Sequence, residues 1–120
     1  MIRMNLQVEL EHRRNVLITR LRGELDHHTS EIVRMQLDEA IQRGQVNHVV
    51  LSLSELTFMD SSGLGVILGR YKQIKGRGGK MAVCDLNPAV RRLFELSGLF
   101  KIMHVYDNER QALLGLEDVS

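Results

Sequence analysis

Two polar corners hold the residue types best able to do chemistry. Asp60-Ser61-Ser62 follows an apolar run and leads into a segment where Leu64, Ile67, Leu68, Tyr71 and Ile74 recur at helical spacing. A serine at the mouth of a helix meets backbone N–H groups without partners and the positive end of the helix dipole. A phosphoryl group is well received at such a place, so the corner is a candidate switch. The second corner is Glu24-Leu25-Asp26-His27-His28-Thr29. It too follows a strand and precedes a helix, and ligand surfaces of open α/β sheets gather at that end of the strands, which predicts one shared face.

Other chemistries fit these residues poorly. A nucleophile elbow needs glycine two residues either side of its serine, whereas Met59 stands two before Ser61 and Asp60 two before Ser62. The histidines, His12, His27, His28, His48 and His104, fall in loops or beside strands, with none assigned to the serines as a base. Asp26, His27 and His28 invite a metal reading, but adjacent helical histidines are expected to point apart, and no His-x-x-x-His or Cys-x-x-Cys pair supports it. Gly76-Arg77-Gly78-Gly79-Lys80 lacks phosphate-loop spacing, carries no Ser or Thr after the lysine and follows a helix, so it reads as a helix stop. The plain alternative for Asp60-Ser61-Ser62 is helix capping, worth about 1 kcal/mol. Gly65 and Gly69 add to it: four apart on one helical face, each costs about 1 kcal/mol relative to alanine. They predict either a smooth surface for another backbone beside the serines or tight packing within the fold.

The bulk properties narrow the function classes. The 120 residues suffice for one domain, expected over residues 1–120, and 43% apolar with 26% charged residues suits a globular protein. A net charge of +1 gives no reason to expect nucleic acid or an anionic membrane as partner. Cys84 is the only cysteine and sits in the apolar run Met81-Ala82-Val83-Cys84, consistent with a reducing cytoplasm and a core role. No apolar stretch approaches a membrane span or the core of a signal peptide. No cofactor or metal is expected.

Periodicity supplies the elements that position the corners. Leu6, Val8 and Leu10 alternate with polar residues as a strand; the loop His12-Arg13-Arg14-Asn15 leads to a strand from Val16 to Arg22, which Gly23 closes. A helix with Val33, Leu37, Ala40 and Ile41 inward, capped by Asp26 or Thr29, stops at Gly44. Val49 to Leu53 reads as a central strand, then come the serine corner and its helix, and Met81 to Cys84 as a further strand. Asn87-Pro88 opens a helix with Val90, Leu93 and Phe94 inward and Gly98 as its stop. Ile102 to Tyr106 reads as the last strand, and Asp107 as the cap of a terminal helix through Leu113, Leu114 and Leu116. This order predicts an α/β fold with a mixed, mostly parallel sheet and alternating helices.

At Gly23-Glu24-Leu25-Asp26-His27-His28-Thr29, at Phe58-Met59-Asp60-Ser61-Ser62-Gly63-Leu64-Gly65 and from Asn87 to Leu99, the chain resembles the anti-sigma factor antagonists, the bacterial STAS domains. The resemblance spans essentially the whole chain. It implies a STAS-like fold and a non-enzymatic partner switch in sporulation; an antagonist in a stress-response circuit is the alternative. In the family, the unphosphorylated antagonist binds an anti-sigma factor that is also a nucleotide-binding serine kinase, and so frees the sigma factor. The kinase phosphorylates the antagonist, and a serine phosphatase restores it. Spacing leaves Ser61 and Ser62 open as acceptor; the resemblance selects Ser61, and it associates Asp26 with partner binding. The expected partner-contacting set is Asp26, His27, Asp60, Ser61, Ser62, Gly63 and Gly65. A phosphate adds about −1.5 to −2 charge there. A penalty of about 3 to 4 kcal/mol would weaken the complex by roughly 10² to 10³.

Overall fold

A computed structural model describes residues 5–117. Its chain order is β1 (Leu6–Arg13), β2 (Val16–Leu25), α1 (Ser30–Arg43), β3 (His48–Met59), α2 (Ser61–Gly76), β4 (Met81–Cys84), α3 (Pro88–Ser97), a 3-10 turn (Leu99–Lys101), β5 (His104–Tyr106) and α4 (Glu109–Glu117). The five strands lie in the order β1-β2-β3-β4-β5, with β1 antiparallel to β2 and every other pair parallel. This is the mixed, mostly parallel sheet that the alternation of strands and helices predicts.

Strand alternation divides the core between two faces. Leu17, Leu21 and Leu25 of β2 point to the larger cluster with Val33, Leu37 and Ile41 of α1, Ile67 and Ile74 of α2, and Phe94 of α3. Ile18, Val50, Ala82 and Cys84 point the other way, onto Ala112 of α4. Three helices therefore cover one face and α4 the other. Arg20 also lies on the α4 side, where its guanidinium donates to both Glu109 oxygens at 2.7 and 2.9 Å and so ties α4 to the sheet.

Several elements differ from their sequence patterns, each for a local reason. The polar loop from His12 shrinks to the turn Arg14-Asn15, because His12 and Arg13 stay in the ladder opposite Leu17 and Val16, and Arg14 takes the left-handed region at φ 57°. Gly23 does not close β2. It lies inside the strand at φ +105°, where a Cβ would strike the Asn5 carbonyl, and the register with β3 shifts around it. β3 runs on past Leu53 to Met59 because β2 continues beside it, pairing Arg22 with Glu55 and Leu25 with Met59. β5 begins only at His104: the N–H groups of Ile102 and Met103 still donate to the Leu99 carbonyl, so the chain is curled there. The cap of α4 is Asn108, whose Oδ1 accepts the Gln111 N–H at 2.9 Å, and not Asp107. The stop at Gly44, β4, and the Asn87 cap with left-handed Gly98 at φ 78° fall where expected.

Candidate functional site

The serine corner is built by Asp60. Its backbone is extended, its N–H donates to the Leu25 carbonyl at 3.2 Å, and its Oδ1 accepts the N–H groups of Ser62 at 2.8 Å and Gly63 at 3.3 Å. The capping expectation is thus met, and it accounts for Asp60 more than for the serines. Ser61 is exposed at the first position of α2, and Ser62 is half-buried. Neither hydroxyl makes a hydrogen bond among the described residues. Ser61 therefore presents an open hydroxyl at the positive end of a 16-residue helix.

The glycines of α2 serve different needs. Gly63 is buried, and a Cβ there would come within 2.7 Å of Met59 Cγ and 2.9 Å of Leu25 Cγ. Its missing side chain lets the first turn pass over the ends of β2 and β3. At Gly65 and Gly69 an added Cβ would meet nothing within 4 Å among the described residues. Packing inside the fold does not require either glycine, which removes one of the two explanations the sequence left open. Gly65 is exposed, one turn beyond Ser61.

The second corner stands beside the first, as the backbone bond from Asp60 to Leu25 requires. Asp26 is half-buried and His27 exposed. Asp26 Oδ1 accepts the N–H groups of His28 at 2.9 Å and Thr29 at 3.1 Å, while the Thr29 hydroxyl accepts the Asp26 N–H at 2.9 Å and donates to the Glu24 carbonyl. Partial desolvation pushes the Asp26 carboxyl up, but the Thr29 and His28 hydrogen bonds outweigh it and hold the group below its ordinary value. Thr29 occupies the cap position of α1 without a side-chain capping bond, so Asp26 organises the turn before the helix. The rings of His27 and His28 do not point apart as helical neighbours would: they lie in that turn with centroids 3.9 Å apart. Among the described residues no group of three or more His, Cys, Asp or Glu is arranged for a metal.

An apolar cleft of about 340 Å³ adjoins the serine corner, between the end of β3 and α3. Phe58 and Leu96 line it and stay 47% and 73% exposed, with Leu93 and Val90 behind them and Arg92 alongside. The sequence reading missed this cleft. The signal was Phe58 itself, a large apolar residue one position from Met59, because adjacent strand positions face opposite ways and both cannot enter the same core. No helix among the described residues is long and apolar enough to cross a membrane.

Comparison with known proteins gives this geometry a context. The STAS domain matches residues 7–112. The chain is 71% identical over 117 residues to an anti-sigma F factor antagonist of Paenibacillus polymyxa, covering 98% of this chain and all of the relative. The fold superposes on the anti-sigma factor antagonist SpoIIAA in its unphosphorylated form with a TM-score of 0.76 and 30% identity, over 94% of this chain and 100% of that one. It superposes on the Bacillus cell fate determinant SpoIIAA in the phosphorylated form with a TM-score of 0.72 and 35% identity, over 89% and 96% of the two chains.

Proposed function

The chain belongs to the STAS domain family, and from that premise we propose that it is an anti-sigma factor antagonist switched by phosphorylation of Ser61. The unmodified protein binds an anti-sigma factor that is also a nucleotide-bound serine kinase, and so releases a sporulation sigma factor. A serine phosphatase reverses the modification. The chain itself acts as ligand and kinase substrate and not as an enzyme. The identity to an anti-sigma F factor antagonist favours the sporulation circuit over a stress-response one. The observation that carries the reading is the exposed Ser61 hydroxyl at the mouth of α2, without a hydrogen bond among the described residues and flanked by the half-buried Ser62.

The surrounding geometry supports a contact face. Asp60, Ser61, Ser62 and Gly65 form its centre, with Asp26 and His27 on the neighbouring turn. Gly63 contributes by letting the turn sit low. The exposed cleft at Phe58 and Leu96 continues the face with apolar area.

A phosphate on Ser61 would enter a corner where Asp60 already takes the N–H groups of Ser62 and Gly63. Less of the helix mouth is therefore free for the phosphate than a bare helix would offer. The new charge stands beside the Asp60 carboxylate, and like-charge repulsion drives it outward, toward the partner. The penalty falls on the complex, at about 3 to 4 kcal/mol, or roughly 10² to 10³ in affinity.

The test is incubation with the cognate kinase and ATP followed by mass spectrometry. Label on Ser61 that disappears in Ser61→Ala, with binding of the labelled protein weakened at least a hundredfold, is the expected result. Label on Ser62, or equal binding of both forms, refutes it.

A further inference from the structure

A separate cavity lies at the other end of the 16-residue α2, about 24 Å along the helix from the serine corner. It has a volume of about 260 Å³ and opens between the end of α2 and the starts of β4 and β5. Lys75 comes to it from α2, Lys80 from the residue before β4, and His104 from the first residue of β5. Tyr71, Met81 and Ile102 supply ring and aliphatic walls, and Ile102 stays 44% exposed.

Among the described residues no carboxylate lines this cavity. Among the described residues, neither Lys75 nor Lys80 lies within ion-pair distance of an acidic group; the ion pairs there belong to Arg13, Arg20, Arg22, Arg34, Arg43 and Arg70. Burial first, and then the Lys80 charge, hold the neighbouring His48 imidazole below its ordinary value. The α2 dipole explains a cation at Lys75. It gives no reason for Lys80, on the residue before β4, or for His104, on the first residue of β5.

The glycine loop leading to Lys80 is not itself a phosphate cradle. The Gly78 and Gly79 N–H groups already donate to the carbonyls of Lys75 and Ile74, both at 2.9 Å, to close the helix. Gly79 must be glycine because a Cβ would fall on the Asn47 carbonyl, and Gly78 takes φ +79°. Recognition at this cavity therefore falls to side chains, and Gly78, with nothing within 4 Å of its Cβ position, leaves the rim open.

We propose that this cavity binds a small organic anion, with a phosphate-type headgroup between Lys75 and Lys80, His104 as a further donor, and a compact apolar body against Tyr71, Met81 and Ile102. Two lysine side chains on one cavity, with no carboxylate among its described lining residues, favour a multiply charged headgroup, and the apolar wall rewards a ring or short chain over a bare ion. The cavity is small for a drug-sized ligand, which limits the body to about one ring.

Phenylphosphonate is the probe, titrated into the full chain and followed by amide NMR. The expected result is a saturable shift centred on Tyr71, Gly78, Lys80 and His104, with the serine corner unmoved. Inorganic phosphate and neutral benzyl alcohol should each bind at least about tenfold more weakly, and Lys75→Gln with Lys80→Gln should weaken phenylphosphonate about tenfold. An unchanged remaining spectrum shows that the variant is folded. Scattered shifts, inorganic phosphate binding as well as phenylphosphonate, or an undiminished affinity in the double variant overturns the assignment. The outcome is independent of Ser61, which serves as an internal control.

Discussion

Replacing Gly65 by alanine separates folding from recognition. An added Cβ at Gly65 meets nothing within 4 Å, and the residue is exposed inside α2. The substitution should therefore return the ordinary difference in helix propensity, about 1 kcal/mol. For a chain of 120 residues this raises the melting temperature by about 4 °C. Gly63→Ala is the internal contrast: the same propensity gain is opposed by overpacking on Leu25 and Met59, for a net loss of about 1 to 2 kcal/mol. Gly79→Ala puts a methyl group onto the backbone of Asn47 and should cost about 3 kcal/mol or more. Urea denaturation of the three variants gives the order directly. If Gly65 lies on the contact face, the stabilised variant must also bind the anti-sigma partner more weakly, measured by titration calorimetry. A destabilised Gly65→Ala would refute the claim that the fold does not need this glycine. A stabilised variant with full affinity would remove Gly65 from the contact face.

Three further outcomes follow from the same geometry. Asp60→Ala strips the acceptor from the Ser62 and Gly63 N–H groups and should cost about 1 kcal/mol in denaturant midpoint analysis. Asp26 is held below its ordinary value of 3.8 by the Thr29 and His28 hydrogen bonds against partial desolvation. Its contribution to stability is therefore complete above pH 3.8 and is lost as the pH falls through its lower, folded value. Asp26→Ala should flatten the loss of stability below about pH 4 in acid titrations followed by circular dichroism. The buried Cys84 thiol, pushed up to about 12 by burial and the Asp85 carboxylate beside it, should resist a thiol reagent at neutral pH until urea unfolds the chain. Rapid labelling of the native protein would contradict its placement under α4.

Much of this protein is local, and local physics is written in order along the chain. The Asn87-Pro88 start, the Gly44 and Gly98 stops and the four apolar residues of β4 each depend on neighbours a few positions away, so the sequence determines them. So does the serine corner, because a cap and its helix are contiguous: Asp60 bonds the N–H groups two and three residues on. The choice of Ser61 over Ser62 was not legible in spacing and came from family resemblance; in the fold Ser61 is the more exposed of the two. The full length of β3 is different, since Glu55 and Phe58 pair only with β2, and β2 reaches them through two register shifts, one between Arg20 and Arg22 and one between Gly23 and Glu24. The apolar cleft at Phe58 and Leu96, and the meeting of His104 with Lys75 and Lys80, join segments more than 20 positions apart. What only the tertiary structure decided was which glycines are compelled by packing. Gly63, Gly65 and Gly79 are the same residue to a sequence. Whether a Cβ meets Leu25, open solvent or the Asn47 carbonyl depends on chain segments brought there by folding.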